Sequence, residues 1–455
     1  MKLIFSSWNV SKLRIGVGIL AAYTSYAGYI QLKTKYEISE RARKEQYDLD
    51  VEHLKSKPWP ITQYGTLVVG GRYANPFPEY RPQTIYEFLY CRVIEMFHTK
   101  PRGGVPANAE EVRRLLPAHR PDFDLLFSTS NDYTHHVSSA STPTLTPTSS
   151  SQDPDDILLP SIRDRLTLTW LGQSCAFVQC AGVNVLTDPC FGEHLVHPYV
   201  GPKRISPPPC HFSELPKIDL VLVSHDHPDH FELETAEQIG NSATWIVPVG
   251  MSKHLKKLGI DNYKELSWWE KTDLPGTDPA EKWEIACTPA MHWSGRNMLD
   301  ANTTLWCSFV VLRDGKPVFF HAGDTGYSQP LFDGIKHMYG GGCQVAMVPC
   351  GAYTPRWHLR SQHTNPQEAI QIMKDLGAQK LVGVHWGTFV LSEEHFLEPR
   401  ELLHELAKKE NRAKDIIAPD FGRTLVFRLH DTKDIADKQE HEMKSIREGK
   451  SLLFD

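Results

Sequence analysis

Three histidines and two aspartates fall within six consecutive positions: His225, Asp226, His227, Asp229 and His230, interrupted only by Pro228. Imidazole nitrogen and carboxylate oxygen are donors that zinc accepts. In an ordinary packed core each of these side chains would need its own hydrogen-bond partner. Pro228 lacks an N–H and restricts the residue before it, so the segment cannot continue as a helix and has to turn. A tight turn aims alternate side chains at different points. His225 and His227 can then face one ion while Asp229 and His230 face a second. The competing reading is a polar surface loop with a chance histidine cluster. A single linear motif cannot complete two metal sites, so further ligands must arrive from elsewhere.

The apolar run before the motif, Val221 to Val223, reads as a buried strand ending in a loop. Three later stretches repeat that pattern. Trp283 to Cys287 leads to His292, Val318 to Phe320 leads to His321 and Asp324, and Leu381 to Val384 leads to His385. Taken singly, His292, His321 and His385 are each more often structural than ligating. Order and strand-end placement make them a set, in which His225, His227 and His292 serve one metal and Asp229, His230 and His385 the other. Asp324 is a natural bridge, because a carboxylate has two oxygens. Gly323 and Gly387 let the backbone come close to a crowded site. Asp188, at another strand end, is suited to orient a ligand histidine. Two such ions can lower the pKa of a water held between them towards neutrality.

Composition narrows the class. A chain of 455 residues suits one large domain with appendages better than several small ones. The formal charge of −6, with no stripe of Lys and Arg, argues against nucleic acid as a partner. The nine cysteines include no C-x-x-C pair and read as scattered reduced thiols, none an evident nucleophile.

The first 36 residues contain no Asp or Glu, and an uncharged run from Ile15 to Leu32 is flanked by Arg14 and Lys33. Its length is near the lower end for a transmembrane helix, and an acid-free basic start resembles a mitochondrial targeting segment. The expectation is a single-pass anchor in a mitochondrial membrane, the inner one, against the alternative of a peripheral helix. Thr84 to Phe97 places Ile85, Phe88, Leu89, Val93, Met96 and Phe97 on one helical face. Phe127 to Pro154 is rich in Ser, Thr, Pro and Asp and is expected to be disordered. Beyond Leu158 the chain is strand-rich. One hairpin is predicted around Ala181-Gly182 and another around Arg313 to Lys316. Asn365, Pro366, Glu368 and Gly377 mark the two ends of a helix. Hairpins mixed with helices suggest two sheets packed face to face, with helices outside.

These residues resemble the metallo-β-lactamase superfamily. The strings TDPCF (Thr187 to Phe191), GPKR (Gly201 to Arg204), SELPKID (Ser213 to Asp219), AGDTGY (Ala322 to Tyr327), GAYTPRW (Gly351 to Trp357) and HWGTF (His385 to Phe389) are similar to N-acylphosphatidylethanolamine-hydrolysing phospholipases D. NPFP at Asn75 to Pro78 fits the same family, and the N-terminal run looks like that of its mitochondrial fungal members. The resemblance implies an α/β fold, an αββα sandwich carrying two Zn2+ ions, preceded here by an N-terminal membrane helix. Charge and composition along the chain, with this resemblance, divide it into a targeting and anchor segment (1–36), a region packing on the catalytic domain (37–126), a disordered insertion (127–157), the catalytic domain (158–430) and a charged tail (431–455).

The implied reaction converts N-acylphosphatidylethanolamine to an N-acylethanolamine and phosphatidic acid. The implied partners are a membrane phospholipid substrate and the membrane itself, with room for a homodimer and no nucleic acid. Asp324 would be catalytic as the bridge between metals. His363 matches a substrate-contacting histidine of the family, and its intrinsic pKa range also fits a proton donor for the leaving oxygen. Animal members carry a substrate-contacting Tyr where this chain has Pro228, so head-group preference does not carry over. Other glycerophospholipids, lactones and thioesters are the alternative substrates that the same fold would permit.

Overall fold

Alternating apolar side chains along short strands build the frame that carries these residues. The computed structural model describes residues 7–48, 64–84, 86–87, 90–91, 102–128, 134–136, 156–158, 161–196, 201–277, 281–297 and 300–429. The N-terminal helix α1 spans Ser7–Asp48. Two small ladders follow: β1 (Leu67–Val69) with β2 (Arg72–Ala74), and β3 (Thr134–His136) with β4 (Asp156–Leu158). The next strands are β5 (Arg165–Gly172), β6 (Cys175–Cys180), β7 (Val183–Thr187), β8 (Leu220–Leu222), β9 (Thr244–Pro248) and β10 (Tyr263–Leu266). They are followed by β11 (Lys271–Asp273), β12 (Trp283–Thr288), β13 (Ser308–Arg313) and β14 (Lys316–His321). The last are β15 (Val345–Pro349), β16 (Lys380–Val384), β17 (Ile416–Ile417) and β18 (Thr424–Arg428).

Two seven-stranded sheets result, ordered β10-β9-β8-β7-β6-β5-β18 and β11-β12-β13-β14-β15-β16-β17. Both are mixed. β7 to β10 run parallel in the first, as β14 to β17 do in the second, while the remaining pairs are antiparallel. Period-two alternation divides the first sheet between two cores. Leu166, Leu168, Trp170, Ala176 and Val178 pack in one cluster with Ile285, Val311 and Phe319 of the second sheet. Phe177, Leu186, Val221 and Trp245 pack in the other with Ala236 and Ile239 of the helix Leu233–Ile239. On the second sheet, Ile335, Ile370 and Met373 bring helices Gln329–Met338 and Pro366–Leu376 into the shared core.

The local signals read from the sequence match these elements. β13 and β14 join through Asp314 and Gly315, both in the left-handed region at φ 51° and 76°, as the tight hairpin requires. β13 begins at Ser308, and its pairing with β14 runs from Phe309 to Arg313. Asn365 Oδ1 accepts from Glu368 N at 2.9 Å and Glu368 Oε2 from Asn365 N at 3.2 Å, closing the capping box.

The expected membrane-spanning helix is corrected. The run Ile15 to Leu32 is helical within α1, yet among the described residues no helix is long and apolar enough to cross a membrane. Three tyrosines, Thr24, Ser25 and Gln31 dilute the run. Its C-terminal half packs on the body. Ile30 and Ile38 meet Leu67 and Val69, and Arg41 donates to the Gly65 and Thr66 carbonyls at 2.8 and 3.0 Å. The other half exposes Ile15, Val17, Ile19 and Leu20. Most of the predicted helix Thr84 to Phe97, most of the insertion and the C-terminal tail lie outside the described residues; within the insertion, β3 and β4 pair.

Candidate metal centre

Parallel strands of an open sheet gather side chains at their carboxyl ends. Here both sheets contribute. β8 leads to His225, His227, Asp229 and His230; β12 to His292; β14 to Asp324; β16 to His385. The structure brings these far-apart residues into overlapping groups: His225, His227 and His292; Asp229, His230, Asp324 and His385; and His292, Asp324 and His363. Within each group the ligand atoms lie within 4.8 Å of one another. The seven candidate ligands and His363 therefore lie close together.

The contacts suit cations. Four ligands at ~2.0–2.1 Å around a tetrahedral zinc stand roughly 3.3 Å from each other. His227 Nδ1 is 2.8 Å from His225 Nε2 and 3.3 Å from His292 Nε2. In the second group, His230 Nε2 is 3.3 Å from His385 Nε2 and 3.2 Å from Asp324 Oδ2, and His385 Nε2 is 3.1 Å from Asp324 Oδ1. Asp324 Oδ1 is buried and has no hydrogen-bond partner. Ring nitrogens crowded at these distances, beside a buried carboxylate oxygen without a hydrogen-bond partner, form a donor set that a divalent cation would satisfy.

Tautomers follow from the surroundings. Asp188 is fully buried and accepts from Ser224 N at 2.7 Å, Ser224 Oγ at 2.8 Å, His230 Nδ1 at 2.8 Å and His321 Nε2 at 2.9 Å. Ser224 Oγ, having given its proton to Asp188, accepts from His225 Nδ1 at 2.9 Å. The Gln362 carbonyl accepts from His292 Nδ1 at 3.0 Å. His225, His230 and His292 thus carry their proton on Nδ1 and offer Nε2, the arrangement that raises ligand basicity. Asn75, from the NPFP string, donates to the His292 carbonyl at 2.6 Å and ties the N-terminal region to the site.

Charge agrees with this. Burial pushes the His225 and His292 imidazoles well below their ordinary range and lowers His227, so all three are neutral donors at neutral pH. In the second group burial also works against protonation, but Asp324 and Asp229 outweigh it, raising His230 well above its ordinary value and His385 to about 9. Burial would raise the Asp324 carboxyl; His230, His385 and His363 hold it well below its ordinary value instead. Asp188 is held at about 2 by His321 and His230 against the same burial. Two buried carboxylates collect protons on their imidazole neighbours, and a metal ion supplies the same positive charge.

His363 stands at the rim, its Nδ1 3.7 Å from Asp324 Oδ2. Arg356 fixes it by donating to the His363 carbonyl at 3.0 Å while pairing with both Glu368 oxygens at 2.6 and 2.7 Å. Burial lowers His363 to about 4, against the pull of Asp324, so it is neutral at neutral pH. Sequence reasoning missed Ser224 and Gln173. The Gln173 amide reaches Asp229 Oδ2 at 2.8 Å and His385 Nε2 at 2.9 Å. A glutamine after a strand-ending glycine carries no metal signal of its own.

Residues 183–386 match a family model described as a beta-lactamase superfamily domain. The chain is 41% identical over 433 residues to the mitochondrial N-acyl-phosphatidylethanolamine-hydrolyzing phospholipase D of Saccharomyces cerevisiae, covering 90% of this chain and 87% of that one. It is 35% identical over 269 residues to N-acyl-phosphatidylethanolamine-hydrolyzing phospholipase D 1 of Caenorhabditis elegans, covering 56% of this chain and 74% of that one. Among solved structures, a metallo hydrolase from Ignicoccus hospitalis aligns with a TM-score of 0.44 at 21% identity, covering 58% of this chain and 100% of its own. The length and level of the yeast match, over a site built from buried histidines and aspartates, establish that the chain belongs to the N-acyl-phosphatidylethanolamine-hydrolyzing phospholipase D family of the beta-lactamase superfamily.

Proposed function

We propose that the protein is a metal-dependent phospholipase D that hydrolyses N-acylphosphatidylethanolamine to an N-acylethanolamine and phosphatidic acid. The observation that carries this is the convergence of His225, His227, Asp229, His230, His292, Asp324 and His385 in a chain similar to the yeast enzyme over most of its length. The donor set of imidazoles and carboxylates suits two Zn2+ ions, with Asp324 able to reach both. Bound there, the two ions would activate the attacking water and offset the charge that grows on the phosphoryl oxygens.

The chain's own residues do the rest. Asp188, Ser224 and Gln362 hold the Nδ1 protons so that Nε2 lone pairs face the centre. Water oxygen bonds to phosphorus, the bond from phosphorus to the ethanolamine oxygen breaks, and that oxygen takes up the proton the water gives off. His363 is neutral above about pH 4, so its role is to donate a hydrogen bond to the substrate rather than to act as an imidazolium acid. His363→Ala is expected to keep its zinc while kcat falls about 10²-fold, with no titration near pH 6–7 removed from the rate profile. Unchanged kinetics would take His363 out of the reaction.

A shallow cleft adjoins His385, lined by Trp386, Phe389, Val390 and Phe396 together with Ser392, Glu394 and His395. The exposed apolar half of α1, with Tyr90 and Trp357 exposed on the body, supports attachment to a membrane, and the yeast relative supports a mitochondrial one. Turnover in ¹⁸O-labelled water tests the reaction. Label should appear in phosphatidic acid, activity should vanish with a chelator, and zinc should restore it. Hydrolysis confined to a lactone or thioester would overturn the lipid reading, and equal turnover of unacylated phosphatidylethanolamine would widen it.

A further inference from the structure

The imidazoles around the centre are not anchored alike. His225, His230 and His292 each have Nδ1 tied to a fixed acceptor: Ser224 Oγ, Asp188 Oδ2 and the Gln362 carbonyl. His385 presents Nε2 in the same way, yet its Nδ1 is buried without a partner. Asp229 shares the problem. Its carboxylate lies 3.6 Å from His230 Nε2 and 3.5 Å from His385 Nε2, with no anchor among the other ligands. One residue meets both. Gln173 Nε2 donates to Asp229 Oδ2 at 2.8 Å; it also stands 2.9 Å from His385 Nε2, the atom a cation would take, so the hold on His385 comes from the Gln173 backbone.

Gln173 is itself immobilised. It is 1% exposed and sits in the left-handed region at φ 53°. Its N–H donates to Thr388 Oγ1 at 2.7 Å, and its carbonyl accepts from Trp170 Nε1 at 2.7 Å. The same carbonyl accepts from His385 N at 3.0 Å, which fixes the backbone from which the histidine ring projects. The first group, His225, His227 and His292, has no such contact with Gln173.

We propose that Gln173 is a positioning residue for the second cation: its carboxamide holds Asp229, its backbone carbonyl holds the His385 backbone, and together they set the affinity of that subsite alone. This rests on the two-cation reading above. Outer partners of metal ligands typically contribute 10–100-fold in affinity. Chelator competition on the full-length protein would resolve the two zinc affinities, and cobalt(II) spectra would report each subsite separately. Gln173→Ala should bind its first zinc as wild type does and its second roughly 10–100-fold more weakly. Loss of the corresponding part of the cobalt spectrum should accompany this, with kcat recovering at excess zinc. Gln173→Met keeps the volume and removes the amide, and should behave alike if the alanine variant folds poorly. Wild-type affinities at both subsites, or equal weakening of both, would overturn the proposal. A wild-type protein that takes up one ion would bring down the two-cation reading and the proposal with it.

Discussion

Asp324→Asn is expected to abolish turnover, by at least about 10³-fold, and to strip metal from the protein. The substitution keeps size and shape and removes only the charge. Asp324 is 3% exposed, and its two oxygens reach His230 and His385 at 3.2 and 3.1 Å and approach His292 at 3.8 Å. It is the one residue common to the Asp229–His230–His385 group and the His292–His363 group. A neutral amide in its place would leave buried imidazoles with one carboxylate fewer to balance a dication, and it would turn an N–H₂ group towards them. Losing a buried charge that others depend on is among the costlier single changes. Elemental analysis with the turnover assay checks this, and a variant with full zinc and full rate would exclude Asp324 as a shared ligand.

Gly323→Ala is expected to destabilise the fold and loosen the same site. Gly323 is at φ +59°, and a Cβ there would stand 2.5 Å from Ser224 Cβ, 2.8 Å from Ser224 Oγ and 3.0 Å from the Cys307 carbonyl. Neither neighbour can retreat. Ser224 is held by Asp188 through both N and Oγ, and Cys307 N donates to the Ser224 carbonyl at 2.9 Å. A left-handed alanine costs about 1–2 kcal/mol and overpacking a further ~1–3 kcal/mol. The sum corresponds to a fall in Tm on the order of 5–10 °C for a domain of this size. Because Ser224 orients His225, zinc content should fall with Tm. Thermal unfolding and metal analysis of the variant would decide it, and wild-type values for both would mean the contact relaxes without cost.

The candidate metal ligands were legible in the sequence because their chemistry is local. His225 to His230 declare themselves by type and spacing, and His292, Asp324 and His385 each follow an apolar strand. The hairpin at Asp314-Gly315 and the capped helix from Pro366 were legible for the same reason, since turn and cap residues act over a few positions. Gln173 was not, because its role depends on Asp229 and His385, far along the chain, arriving beside it. Nor could the protonation of His363 be read. Its type suggests an acid near neutral pH, and only burial reveals that it stays neutral. The run Ile15 to Leu32 misled because absence of charge is not the same as apolarity, and tyrosine, serine and glutamine carry no charge.

The first two groups draw on both sheets: His225 and His227 from one with His292 from the other, Asp229 and His230 from one with Asp324 and His385 from the other. Ions held there would act as rivets across the seam, and the sandwich would then not part its layers without shedding metal. Room for a bulky lipid would then have to come from the segments beside the centre, those carrying Trp293, whose ring is 4.2 Å from that of His227, and Phe389, in the cleft beside His385. Amide hydrogen exchange in the metal-loaded protein should be fast in those segments and slow along β8 and β16; fast exchange along the strands would mean the layers part after all.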